Sequence, residues 1–134
     1  MAKAHILVVD DEADVEFLFR QKFRRDIKAK KIDFHFALSA NEALTYLKSP
    51  ATQAEITLIL SDINMPGMNG LELLRVIKEK YPEILVFMVT AYGDEQSQEI
   101  ANTYGADGFL NKPVDFNRLN QDILDLVCSQ SVPS

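Results

Sequence analysis

Residues Ala4–Glu12 read AHILVVDDE, a run that is apolar apart from His5 and ends abruptly in three acids. So short an apolar block, richest in β-branched and aliphatic residues, reads as a strand covered on both faces rather than as one side of an amphipathic helix. Working outward, Ile32–Ala37, Ile56–Ser61 and Ile84–Val89 repeat the pattern, and Gly108–Asn111 makes a shorter fifth strand. Between them Asp14–Ile27, Asn41–Lys48, Gly70–Tyr81 and Asp94–Tyr104 read as helices, with Phe116–Cys128 as the last. In that last helix Leu119, Ile123, Leu126 and Val127 fall on one stripe. Five strand–helix units with short connections predict an α/β fold, a doubly wound parallel sheet in a three-layer αβα sandwich.

The 134 residues suit one domain, expected over 4–128, with a frayed tail over 129–134. A chain of this size buries about two thirds of its unfolded surface and holds a core without covalent staples. The single cysteine, Cys128, has no internal disulfide partner and reads as a small apolar residue of the last helix. The longest uninterrupted aliphatic and aromatic run is Ile84–Val89, far below the roughly 20 apolar residues that span a bilayer. With no signal-peptide pattern at the N-terminus, a cytoplasmic protein without membrane insertion is expected. The net charge of −6 argues against direct nucleic-acid binding by this domain. The charge is unevenly spread, for residues 20–31 hold seven of the 14 basic residues and one acid. That segment reads as a solvated helix end complementing the helix dipole, or as a docking patch for an acidic partner.

In open α/β sheets ligands bind beyond the carboxyl ends of the strands. Asp10, Asp11 and Glu12 follow the first strand, Asp62 follows the third, Thr90 follows the fourth, and Lys112 and Pro113 follow the fifth. Each has a plain structural reading. Asp11 or Asp14 could cap a helix, and Asp62 could open a turn before Asn64, Pro66 and Gly67. Thr90 could be an ordinary strand end, and Lys112 an exposed turn. Their gathering at one edge, with none after the second strand, favours a common purpose. Carboxylates brought together repel one another unless a cation joins them, and Mg²⁺ suits a shallow all-oxygen site open to water and phosphate. One carboxylate could then attack phosphorus, with a hydroxyl and an ammonium on the phosphoryl oxygens. Thr90 and Lys112 fit those two tasks.

These residues resemble the receiver domain of two-component response regulators. The matching stretches are ILVVDDE (Ile6–Glu12), LSDINMPGMNGLELL (Leu60–Leu74), MVTAY (Met88–Tyr92) and GADGFLNKPV (Gly105–Val114), in the order and spacing of the whole receiver fold. The resemblance implies a flavodoxin-like sheet of strand order 2-1-3-4-5 with five helices. It implies that Asp62 is the phosphoacceptor, supplied by a histidine kinase or a histidine phosphotransfer protein. Asp11 would ligate Mg²⁺, or Mn²⁺ in its place, with Asp10 acting through a water and the Asn64 carbonyl completing the set. Thr90 and Lys112 would contact the phosphoryl group, Phe109 would be the aromatic switch residue, and a cis Lys112–Pro113 bond would fix the entry of the lysine.

The implied switch surface is the fourth helix, fifth strand and fifth helix, through which the domain would control a partner or a C-terminal effector domain, or form a dimer. The helix over Asp94–Tyr104 offers only Ile100, Ala101 and Tyr104 to the core, so it has little burial to hold it. Asn69 stands where this loop often carries Asp, with little consequence expected. Ser61 is expected on the opposite face from the acceptor. Tyr92, two residues after Thr90, could screen the phosphoryl group from water and slow its hydrolysis. His5 and His35 lie in strands without a Cys or carboxylate at metal-ligand spacing and read as structural.

Three other functions are compatible with parts of the pattern. An Asp-nucleophile phosphohydrolase would need a second acid two residues after the nucleophile, where Asn64 stands. A flavodoxin-like nucleotide site would need Gly, Ser and Thr amides where Asp10–Asp14 would repel phosphate. A degenerate receiver acting as a phosphate-independent binding module would not need all five site residues. Beyond the last helix the sequence carries no recognisable effector, so a stand-alone receiver and a fragment of a longer protein are both compatible with it.

Overall fold

The computed structural model describes residues 4–49, 56–63, 69–90, 95–111 and 114–131, the last helix in its backbone and in part of its side chains. Five parallel strands pair in the order β2-β1-β3-β4-β5. They are β1 (Ala4–Val9), β2 (Ile32–Ala37), β3 (Leu58–Asp62), β4 (Leu85–Thr90) and β5 (Gly108–Asn111). The helices are α1 (Asp14–Lys22), α2 (Arg24–Lys28), α3 (Ala40–Leu47), α4 (Gly70–Lys80), α5 (Glu95–Thr103) and α6 (Phe116–Ser131).

Strand alternation divides the interior into two cores. Leu7, Val9, Ala37, Ile59, Val86 and Met88 face α3, α4 and α5, meeting Ala43, Leu47, Leu73, Ile77 and Ala101. Ile6, Val8, Phe34, Leu58, Leu60 and Val89 face the other way, meeting Phe19 and Phe23 below and Leu119 and Ile123 of α6. Every residue of β3 is buried, as a central strand between two helical layers requires. The expected α/β sandwich and its strand order are therefore present.

Three details differ from the sequence reading. The first helix is broken in two, giving six helices among the described residues rather than five. The break falls at Phe23, whose backbone turns to φ −105° and ψ 20°. Phe23 is 1% exposed and packs its ring 5.0 Å from that of Phe34, so aromatic burial overrides helical continuity. α2 buries none of its residues, and it closes with Lys30 at φ +60°. Lys30 N donates to Ile27 O and Lys31 N to Asp26 O, a Schellman turn with lysine where glycine is favoured. The basic segment 20–31 thus covers two helices and a turn rather than one helix end. Arg20 is held by Glu16 at 3.0 Å and lies over the Phe36 ring.

The second difference is at α6, which continues through Ser131, so the residues after Cys128 begin as helix rather than as tail. Leu119 and Ile123 are buried as expected, while the side chains of Leu126, Val127 and Cys128 lie outside the described residues. The third is at α5. Ala101 is buried, but Ile100 and Tyr104 are each 37% exposed, so this helix has even less apolar anchorage than its sequence suggested. A strand or helix end elsewhere shifts by one or two residues, the usual latitude of an end set by pairing rather than by pattern.

Candidate functional site at the carboxyl edge of the sheet

β1 and β3 are neighbours, and at the same edge β1 leads into Asp10 while β3 ends in Asp62. Asp10 N donates to Ala37 O at 3.1 Å, which continues the β1–β2 ladder by one residue, and Asp10 Oδ1 accepts from Glu12 N at 2.9 Å. This turn carries Asp11 past the strand end. One carboxylate oxygen each from Asp10, Asp11 and Asp62 lie within 4.8 Å of one another. Asp10 is half-buried, Asp11 exposed and Asp62 only 4% exposed.

The helix-capping alternative raised for Asp11 or Asp14 is not what the structure adopts. α1 starts at Asp14 after Ala13, which is helical in backbone and makes no side-chain cap. The three carboxylates gather like charge in a partly desolvated place, and a hard divalent cation is the group that such an all-oxygen donor set fits. Beside them opens a cavity of about 270 Å³, with Asp10, Glu12 and Asp62 at its polar end and Val15, Leu18 and Phe116 among its apolar walls.

Asp62 is positioned by backbone. Ile63 N donates to Val89 O at 3.2 Å, and Gly70 N donates to Ile63 O at 2.8 Å, so the start of α4 is stitched to the strand end. A Cβ on Gly70 would fall 2.1 Å from Asp62 O and 2.8 Å from Ile63 Cα. Only glycine permits this approach. Asn69 caps α4 by accepting from Glu72 N at 3.0 Å, a task Asn and Asp perform alike. Ser61 is buried, with its hydroxyl donating to Asp62 O.

Thr90 is 1% exposed at the end of β4. Its hydroxyl donates to Asn111 Oδ1 at 3.1 Å, and Gln98 Nε2 of α5 approaches both Thr90 Oγ1 (3.3 Å) and Asn111 Oδ1 (3.4 Å). Phe109, half-buried on β5, packs against the core on the α3–α5 face. Asn64, Tyr92, Lys112 and Pro113 lie outside the described residues.

Sequence reasoning missed several contributors. Gly70 had a signal, a glycine in the first turn of a helix where most residues serve better. Gln98 and Asn111 had none, because their role depends on the packing of α5 over β5. Phe17 and Leu18 are 71% and 40% exposed on α1, and the run Phe17-Leu18-Phe19 gave notice of this, since three successive residues cannot share one helix face. Asp107, inside the GADGF stretch, accepts from Lys78 Nζ at 2.6 Å and Val86 N at 2.9 Å and so ties β5 to β4 and α4.

Comparison with known proteins agrees with this geometry. Residues 6–124 match the family described as the response regulator receiver domain. The DNA-binding transcriptional regulator NtrC of Proteus hauseri is 35% identical over 87% of the chain, and the response regulator protein PilR of Pseudomonas aeruginosa 34% over 90%. The chain spans 23% and 25% of those two proteins, about a quarter of their length. Among solved structures, a receiver domain from Clostridium thermocellum superposes with TM-score 0.81 at 28% identity, covering 95% of this chain and 96% of its own. A CheY-like receiver domain from Methanospirillum hungatei gives TM-score 0.82 at 26% identity, covering 96% of this chain and 97% of its own. The chain belongs to the response regulator receiver domain family, the phosphorylation-dependent switches of two-component signalling.

Proposed function

We propose that Asp62 is the phosphoacceptor of this switch and that a histidine kinase or histidine phosphotransfer protein is its donor. The observation that carries the reading is the convergence of Asp10, Asp11 and Asp62 within 4.8 Å beside an open cavity. These three carboxylates, with the Asn64 carbonyl, would hold Mg²⁺ or Mn²⁺. The bound ion supplies neutralisation of charge on the phosphoryl oxygens. An oxygen of Asp62 attacks phosphorus of the donor phosphohistidine, the P–N bond breaks, and its electron pair returns to the imidazole nitrogen. The product is an acyl phosphate on Asp62.

Thr90 then donates its hydroxyl to the phosphoryl group, and Lys112 pairs with it, with Pro113 shaping the lysine's entry. To do so Thr90 must release Asn111, because a hydroxyl has one hydrogen to donate. That exchange is a direct link from the acceptor edge to α5 and β5. Phe109 takes part in the same rearrangement, and the α5–β5–α6 surface that results is read by an output partner or effector domain, or pairs two copies. Tyr92 screens the acyl phosphate from water and slows its loss. The domain accordingly assists its own phosphorylation and dephosphorylation without acting on a separate substrate, in the cytoplasm and without contacting nucleic acid itself.

The test is labelling with a small acyl phosphate. Wild type takes up phosphate with Mg²⁺ and not with chelator, and Asp62→Asn takes up none. Labelling that survives Asp62→Asn overturns the acceptor assignment.

A further inference from the structure

A second convergence of ligating side chains lies away from the aspartates, on the face of the sheet that α3, α4 and α5 cover. Here the structure corrects the reading of His5 and His35 as histidines without a carboxylate partner. The parallel register sets His5 of β1 opposite Asp33 of β2, and Leu7 opposite His35. Residues 5, 33 and 35 share the alternation of Leu7 and Ala37, so all three emerge on one face. One ligand atom from each lies within 4.8 Å of the other two.

The separations suit a metal ion. His5 Nδ1 and His35 Nε2 are 3.3 Å apart, and His5 Nδ1 and Asp33 Oδ2 3.9 Å. Nitrogen ligands about 2.0–2.1 Å from a tetrahedral Zn²⁺ stand about 3.3 Å from each other. The imidazole pair already has that spacing, and the carboxylate needs a shift of about half an ångström.

The surroundings suit it too. The Tyr46 hydroxyl of α3 is 2.7 Å from His35 Nδ1. A proton on Nδ1 donated to Tyr46 leaves the lone pair on Nε2, the atom turned toward His5. An outer partner on the second ring nitrogen is the usual support of a metal-bound imidazole. The side chains of His5 and Asp33 are 21% and 37% exposed, so an ion has access from solvent. Two imidazoles and one carboxylate favour Zn²⁺, Ni²⁺ or Cu²⁺ over Mg²⁺, the reverse of the preference at the all-oxygen aspartate cluster.

We propose that His5, Asp33 and His35 form a binding site for a divalent transition-metal ion, Zn²⁺ fitting best, with Tyr46 positioning His35. Such an ion clips the edge strand β2 to its inner neighbour β1. The site shares no residue with the aspartate cluster, so its fate is independent of the phosphoacceptor assignment.

The chain has only 2 histidines, which makes the test free of background on untagged protein. Excess Mg²⁺ occupies the aspartate cluster while Zn²⁺ is titrated, and the ring nitrogens are followed by long-range ¹⁵N NMR. The expected result is one equivalent of Zn²⁺ shifting His5 Nδ1 and His35 Nε2 and raising Tm. Binding is lost in His35→Gln, weakened about 10–100-fold in Tyr46→Phe, and kept in Asp11→Asn. Ring nitrogens of wild type that do not move under Zn²⁺ overturn the proposal without recourse to any variant. Zn²⁺ binding that persists in a folded His35→Gln does the same.

Discussion

The Thr90 hydroxyl donates to the Oδ1 atom of Asn111 across the β4–β5 pair at 3.1 Å, between residues that face each other in register. The only proton that Thr90 can offer a phosphoryl group is therefore engaged on β5, and Gln98 fastens the same pair to α5. This bond stabilises the unphosphorylated arrangement. Asn111→Ala removes it and is expected to raise the steady-state level of acyl phosphate at limiting phosphodonor. A hydrogen bond of about 1 kcal/mol corresponds to roughly a fivefold change. The level of labelled protein at equal donor concentration measures it.

Gly70 sets the backbone around Asp62. Gly70→Ala puts a methyl 2.1 Å from the carbonyl oxygen of Asp62, so the backbone there must yield. Overpacking of this kind costs about 1–3 kcal/mol. Thermal unfolding should show the loss, and the rate of labelling should fall with it. Asn69→Ala removes only the cap of α4, costs about 1 kcal/mol, and leaves the rate nearly unchanged.

The lysine at the end of α2 offers a gain. Lys30 holds φ +60°, a conformation that costs an L-residue roughly 1–2 kcal/mol and glycine little. Lys30→Gly is expected to stabilise the domain by about 1 kcal/mol, less than the strain relieved because glycine is freer in the unfolded chain. Denaturant unfolding should give a higher midpoint at unchanged slope.

Asp107 carries a structural share of the GADGF stretch. Its carboxylate accepts from Lys78 Nζ and from Val86 N, and Lys78 also donates to Ile84 O at 3.0 Å. Asp107→Ala leaves a backbone amide and a half-buried ammonium without that acceptor. With the pair partly exposed, the loss is about 2 kcal/mol in thermal or denaturant unfolding, with Asp62 itself untouched.

The fold was legible because its strands are buried on both faces and so appear as unbroken apolar runs, Ala4–Val9 and Leu58–Leu60 above all. The gathering of the acids and the placing of Thr90 at a strand end were legible because each follows such a run, while Lys112 lies outside the described residues. The break at Phe23 was not, since the stretch Lys22–Lys28 contains neither Gly nor Pro and the cause is a contact with Phe34, far along the chain. His5 and Asp33 meet only through the register of two strands, which no local pattern encodes. The tie between Thr90, Asn111 and Gln98 likewise needs α5 docked over β5 before it exists.

On the proposed function, the carboxylate of Asp62 takes the phosphoryl group. Wild-type protein treated with a small acyl phosphate and Mg²⁺, then reduced with borohydride, converts a phosphorylated aspartate to homoserine that peptide mass spectrometry can place. Homoserine is expected at position 62. Homoserine at position 10 or 11 instead, or none in a protein that has taken up phosphate, would contradict it.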